Sequence, residues 1–170
     1  MPSRKSYGAL VPGNFERILE ALGRENVEYV VIGGLAAVTH GSPYLTDDLD
    51  ISYGRAPSNV EALVRALAPL NPRLRVRGGE VPMVWDGRTV TNGLNFTLST
   101  DAGDLDLLGD VQGIGTYEAM LPECETVELY GQKVRILSIR QLIAAKRAAG
   151  RPKDLLHIDA LEEILRSRRG

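Results

Sequence analysis

The sequence predicts an α+β protein: a mixed β-sheet flanked by helices, closed by a C-terminal helical pair. Three observations predict it. Helical and strand periodicities alternate as α, β, α, β, α as far as residue 67. The middle of the chain then changes to short apolar runs divided by Gly- and Asp-rich turns. From residue 138 onward the pattern is helical again.

Taken in order, Asn14 caps a first helix whose apolar stripe is Phe15, Ile18, Leu19 and Leu22. Residues 27–32 (VEYVVI) read as a buried strand, rich in β-branched side chains and ended by Gly33-Gly34. A short helix over 35–40 follows, then the loop Gly41-Ser42-Pro43 and a second strand carrying Asp48-Leu49-Asp50-Ile51-Ser52. Ser58 and Glu61 are expected to form a capping box for a helix with the stripe Val60, Leu63, Val64 and Leu67. Strands are expected over 73–77, 81–85, 94–99 and 104–108, the last two joined by a turn at 99–103. A further hairpin pairs 126–130 with 133–137 and turns at Gly131-Gln132. Ser138 with Gln141 caps a helix over Ile139–Ala149, and a final helix covers 153–168.

A chain of 170 residues with 44% apolar and 25% charged residues suits one domain over 1–170, a sheet-containing core at 1–137 with helices 138–170 packed on it. The net charge of −2 excludes the global basic field of a general nucleic-acid binder. An RNA partner would have to be held by local patches, and Arg and Lys do crowd residues 140–153 and the C-terminal end. The single cysteine, Cys124, excludes a disulfide framework or a Cys-based zinc site within the chain and reads as a spectator. No apolar run has the length of a membrane span, and the N-terminal stretch lacks the apolar segment of a signal peptide. A cytoplasmic location without a membrane partner is expected.

Two features carry chemistry. Asp48 and Asp50 stand at i and i+2 in an apolar strand, so both carboxylates project from one face. Two anions held so close repel unless a cation lies between them, and magnesium, with manganese as a substitute, is the hard ion that carboxylate and phosphate oxygens take. The plainer reading is a strand end with solvated aspartates. The second feature is a buried strand that ends in Gly-Gly and runs into a helix. It leaves unpaired backbone N–H groups and a helix dipole facing outward, a site for phosphate that glycine lets the ligand approach closely. A tight strand-to-helix turn would use the same residues. Neither the dinucleotide-binding nor the P-loop pattern is present.

The arrangement Gly33-Gly34-x13-Asp48-Leu49-Asp50-Ile51 resembles the signature of the DNA polymerase β-like nucleotidyltransferase superfamily. The fuller stretch from Gly33 to Asp50, with Gly41, Thr46, Asp48, Leu49 and Asp50, resembles its AbiEii/MenT-type toxin branch. Tyr44 stands where that branch usually has arginine. The resemblance implies a nucleotidyltransferase fold and a third carboxylate from a later strand. Asp106 and Asp104 are the candidates: Asp106 comes first, since it lies within an apolar strand, and Asp104, which follows a turn and has an easy structural explanation, is held in reserve.

Lys146 falls near the centre of an apolar helical arc formed by Ile139, Leu142, Ile143 and Ala149. It either snorkels past the core or reaches a triphosphate as a point charge. Residues 146–154 also resemble the Lys-x3-Gly-Arg-x-Lys-Asp stretch of the same branch, which implies nucleotide contacts from Lys146, Arg151 and Asp154. Asp154 has the alternative of capping the last helix. His40, His157, Trp85, Phe96 and Tyr53 read as structural.

The expected activity is transfer of a nucleoside monophosphate from a nucleoside triphosphate to an acceptor hydroxyl. Asp48, Asp50 and Asp106 are the metal ligands and, with Lys146, the catalytic residues. Gly33, Gly34, Thr46, Lys146, Arg151 and Asp154 are the nucleotide contacts. The resemblance implies an RNA acceptor such as a tRNA end, and a toxin–antitoxin or phage-defence setting with a cognate antitoxin. The alternative is a catalytically silent nucleotide- or RNA-binding module, regulatory or antitoxin in role.

Overall fold

A computed structural model describes residues 14–169, so the expectation about the N-terminal stretch lies outside the described residues. Helix α1 (Phe15–Arg24) starts where Asn14 accepts the Arg17 amide, as its sequence predicts. Phe15, Ile18, Leu19 and Leu22 are all buried, each worth about 1.5–3 kcal/mol of apolar transfer. Strand β1 (Tyr29–Ile32) is buried throughout and runs directly into α2 (Gly33–His40). The helix therefore begins two residues earlier than its apolar pattern suggests and takes both glycines into its first turn.

Strand β2 (Leu49–Tyr53) follows, then α3 (Pro57–Leu67) and a 3-10 turn over Ala68–Leu70. The capping box expected at Ser58 and Glu61 does not form. Proline at position 57 opens α3 two residues earlier, with Ala56 as a cap that makes no side-chain hydrogen bond. Proline takes the first helical position readily because its missing N–H would be unpaired there anyway. The strands β3 (Arg73–Val76) and β4 (Gly79–Val81) make a short exposed hairpin, so the strand expected at 81–85 lies earlier than its apolar residues indicate. Pro82 follows at once and cannot donate to a ladder. Helix α4 (Gly87–Asn92), capped by Asp86, comes next. Strands β5 (Asn95–Thr100) and β6 (Gly103–Leu108) pair across the expected turn.

A small ribbon of β7 (Asp110–Val111) and β8 (Gly115–Thr116) leads to α5 (Tyr117–Met120). The hairpin of β9 (Glu125–Leu129) and β10 (Gln132–Ile136) turns at Tyr130-Gly131, one residue before the expected pair, because those two residues are the ones with positive φ. Helix α6 (Ile139–Ala149) carries the full Ser138/Gln141 capping box and ends at Gly150 in the left-handed region. Helix α7 (Asp154–Arg169) packs against it. Ala149 is exposed rather than part of the buried arc.

The sheet has eight strands in the order β4-β3-β5-β6-β2-β1-β10-β9. It is mixed: β2 runs parallel to β6 and β1 parallel to β10, while the other pairs are antiparallel. Helices α1, α3 and α4 pack in one group, and α2, α6 and α7 in another. The α+β architecture with a C-terminal helical pair is thus as the sequence predicts. His40 is structural: its Nε2–H donates to the Leu137 carbonyl at 2.7 Å while Arg168 donates to Nδ1 at 3.2 Å, tying α7 to the body. Tyr53 is fully buried, its hydroxyl on the Leu94 carbonyl, and Trp85 donates to the Val64 carbonyl.

Candidate active site

The sheet order places the acidic residues. In β2, Asp50 faces Ile32 of β1 on one side and Asp106 of β6 on the other. In β6, Leu105 and Leu107 point into the core, so Asp104 and Asp106 share the opposite face. Asp106, not Asp104, is the register partner of Asp50. Asp48 lies at the bend just before β2 rather than within it, with its backbone carbonyl held by the Thr46 hydroxyl at 3.0 Å.

This convergence is electrostatically loaded. The Asp50 carboxyl is pushed up to about 8, first by burial and then by the charge and hydrogen bond of Asp106, with Asp48 adding to it and Lys146 opposing. Burial, with Asp106 and Asp104 contributing, also raises Asp48, against the pull of Arg75. A set of oxygens that holds a proton this tightly has more negative charge than it can keep apart.

The two glycines are explained by contact. Gly33 has φ +64, and a Cβ there would overlap the Asp50 carboxylate; one on Gly34 would overlap the Thr46 side chain. Helix α2 therefore starts hard against the acidic group, and no side chain caps it. Its first amides, with the positive end of the helix dipole, lie next to Asp50. The Thr46 hydroxyl donates to the backbone carbonyl of Asp48, and its side chain packs on Gly34.

On the other side stand α6 and α7. Lys146 is largely buried, with Nζ 3.7 Å from Asp154 Oδ1, and its charge reaches Asp50. Asp154 is 4% exposed and takes two bonds from Arg151, at 2.7 and 3.3 Å. Burial raises Asp154, but the Arg151 bond and the charges of Arg151 and Lys146 outweigh it, so the carboxyl lies below its ordinary range. Asp154 is thus an anchor for both cations. Lys146 belongs with the aspartates, while Arg151 points along the exposed start of α7. Tyr44 stacks on His157 with ring centroids 4.4 Å apart, tying the loop before β2 to α7.

One residue of the site escaped the sequence. Arg75 of β3 reaches across β5 to donate to Asp106 at 2.7 Å, with Asp104 at 3.3 Å and Asp48 at 3.7 Å. The alternation Arg73-Leu74-Arg75-Val76 was the only local signal, and an exposed edge hairpin explains it equally well.

Solved structures carry the same arrangement of elements. The antibiotic-resistance factor ANT(2'')-Ia matches over 90% of this chain and 81% of its own, at TM-score 0.55 and 19% identity. A protein from Thermotoga maritima described as a candidate nucleotidyltransferase matches over 96% of this chain and 95% of its own, at TM-score 0.54 and 17% identity. The chain has the nucleotidyltransferase fold. ANT(2'')-Ia in complex with adenylyl-2''-tobramycin also superimposes, at TM-score 0.55 and 17% identity over 90% and 86% of the two chains.

Residues 88–170 match the family described as "Nucleotidyl transferase of unknown function (DUF2204)". That match includes the nucleotidyltransferase-fold strand β6 with Asp106, and also Lys146, Arg151 and Asp154, but begins after Asp48 and Asp50. No protein of curated function matches the chain. Among the described residues, no helix is long and apolar enough to cross a membrane.

Among the described residues, no three acidic, histidine or cysteine side chains already form a metal cage. The donor chemistry nevertheless fits a hard divalent cation: three carboxylates converge, Asp50 is pushed far up by burial and by its acidic neighbours, and a guanidinium already lies against Asp48 and Asp106.

Proposed function

We propose that this protein is a divalent-metal-dependent nucleotidyltransferase that moves a nucleoside monophosphate from a nucleoside triphosphate to an acceptor hydroxyl. The observation that carries the reading is the Asp50–Asp106 register pair set directly against Gly33 at the uncapped start of α2. A carboxylate pair and an amide-rich helix start, side by side, suit a phosphate chain that arrives with its cation. The fold of ANT(2'')-Ia and the family match over 88–170 support the same class.

Asp48, Asp50 and Asp106 would hold magnesium, or manganese in its place, which supplies positive charge to the reacting phosphates. The α2 amides at Gly33 and Gly34 bind phosphate oxygens, with Thr46 keeping Asp48 in position. Lys146, fixed by Asp154, adds a point charge toward the triphosphate, and Arg151 holds Asp154 and the edge of the nucleotide site. Asp106 accepts the proton of the acceptor hydroxyl. The acceptor oxygen bonds to the α-phosphorus as the bond to the bridging oxygen breaks, and pyrophosphate leaves.

The acceptor we infer is RNA, such as a tRNA end, in a toxin–antitoxin or phage-defence setting with a cognate antitoxin. Support comes from the resemblance of Gly41, Thr46, Asp48, Leu49 and Asp50 to the AbiEii/MenT-type branch. The exposed bases Arg151 and Lys153, between α6 and α7, offer positive charge to a phosphate backbone. A cytoplasmic setting goes with a triphosphate substrate. The test is incubation with each α-labelled triphosphate, magnesium and total RNA. Label in RNA supports the proposal, label in small molecules or protein alone moves the acceptor, and no label overturns the transferase reading in favour of a silent binding module.

A further inference from the structure

We propose that Arg75 is a displaceable internal counter-ion: its guanidinium holds Asp48 and Asp106 together in the metal-free protein and must leave them before a divalent cation enters. The inference rests on the metal-dependent reading above and deepens it. One terminal nitrogen of Arg75, Nη2, lies 2.7 Å from Asp106 Oδ1 and 3.7 Å from Asp48 Oδ2. A magnesium ion bonds carboxylate oxygens at about 2.0–2.1 Å. A cation held by these oxygens would compete with that nitrogen for them, and the guanidinium would have to give them up.

The guanidinium has somewhere to go. Its other terminal nitrogen, Nη1, is already 3.3 Å from Asp104 Oδ2 and donates to the Leu98 carbonyl at 2.9 Å. Asp104 is the carboxylate that does not face Asp50, so it can keep Arg75 while Asp106 is released. The base of the side chain is also lightly held. Strand β3 has no fully buried residue, β4 beyond it is exposed along its length, and the Arg75 side chain is 24% exposed. Glu80, the register partner of Arg75 on β4, is taken by Arg73 at 2.9 Å. Among the described residues, Arg75 thus has no competing carboxylate outside the site.

A metal site with its own resident cation folds with less repulsion among its carboxylates, and its divalent affinity is lower by the strength of the contact displaced. That contact is charge-assisted and only partly solvated, so its removal should raise affinity about fivefold or more. The decisive experiment titrates Mn²⁺, read by electron paramagnetic resonance without nucleotide, into wild type, Arg75→Gln and Arg73→Gln. Arg73 is the charge control, two residues away and paired to Glu80 and Asp101 instead.

The expected result is tighter Mn²⁺ binding by Arg75→Gln alone, together with a lower melting temperature than wild type in EDTA that Mn²⁺ restores. Equal or weaker binding by Arg75→Gln overturns the inference and leaves the metal reading standing. Equal gains in both variants overturn it too, since they report net charge rather than displacement. Absence of Mn²⁺ binding in all three proteins overturns the metal reading along with it. Wild-type protein provides a check free of any folding defect: the Arg75 side-chain NMR signal should move on adding Mg²⁺, and a stationary signal contradicts displacement.

Discussion

Asp50 and Asp106 are register partners on neighbouring parallel strands, so their carboxyls meet on one face of the sheet without any loop to bring them there. Rigid strands hold the pair, and the pair repels. Replacing either residue by alanine should lower metal-dependent pyrophosphate release at least about 100-fold. Single-turnover assays at saturating triphosphate would show whether the loss is in chemistry.

The same pair makes stability fall with pH. Folded Asp50 holds its proton up to about 8, whereas an unfolded aspartate loses it near 3.9. The folded state therefore binds more protons between those values, and stability drops as pH rises through that window. Metal-free protein should melt at lower temperature at pH 8.5 than at pH 5.5. Asp50→Asn should flatten the slope, and magnesium should raise the melting temperature most at the alkaline end.

Gly33→Ala should be costly twice over. Its φ of +64 disfavours any Cβ, and the new methyl would press on the Asp50 carboxylate. A destabilisation of about 1–3 kcal/mol is expected from backbone strain alone. Thermal melts and triphosphate binding measured together should show both losses.

Lys146 and Arg151 both touch Asp154, but with different consequences. Asp154→Ala strips a largely buried lysine of its partner and should cost about 1–3 kcal/mol, as buried groups left unpaired do. Arg151→Ala removes a side chain that is 55% exposed and should cost under about 1 kcal/mol. Chemical denaturation of the two variants separates them.

Local features of the chain were legible. The Asn14 cap, the stripe of α1, the Ser138/Gln141 box of α6 and the strand-to-helix step at Gly33 each depend on residues a few positions apart. The capping box expected at Ser58 lost to Pro57, a local competitor that starts α3 earlier. The helices α4 and α5 are too short for their periodicity to register. For the site, Asp48 and Asp50 could be named from their i, i+2 spacing after Gly33-Gly34, and Asp106 from its apolar neighbours within a strand. That Asp106 rather than Asp104 faces Asp50 is a matter of register, and Arg75 arrives only because β3 lies two strands from β6, across β5. Such neighbours are set by sheet order, which no local pattern encodes.

The account turns on whether the acidic face transfers a nucleotide. The most direct measurement is pyrophosphate release from each nucleoside triphosphate, with magnesium and total RNA, by wild type and by Asp106→Asn. Magnesium-dependent pyrophosphate release by wild type and its near-absence in Asp106→Asn is the predicted result. Triphosphate bound by wild type with no pyrophosphate released, or equal release by both proteins, would contradict it.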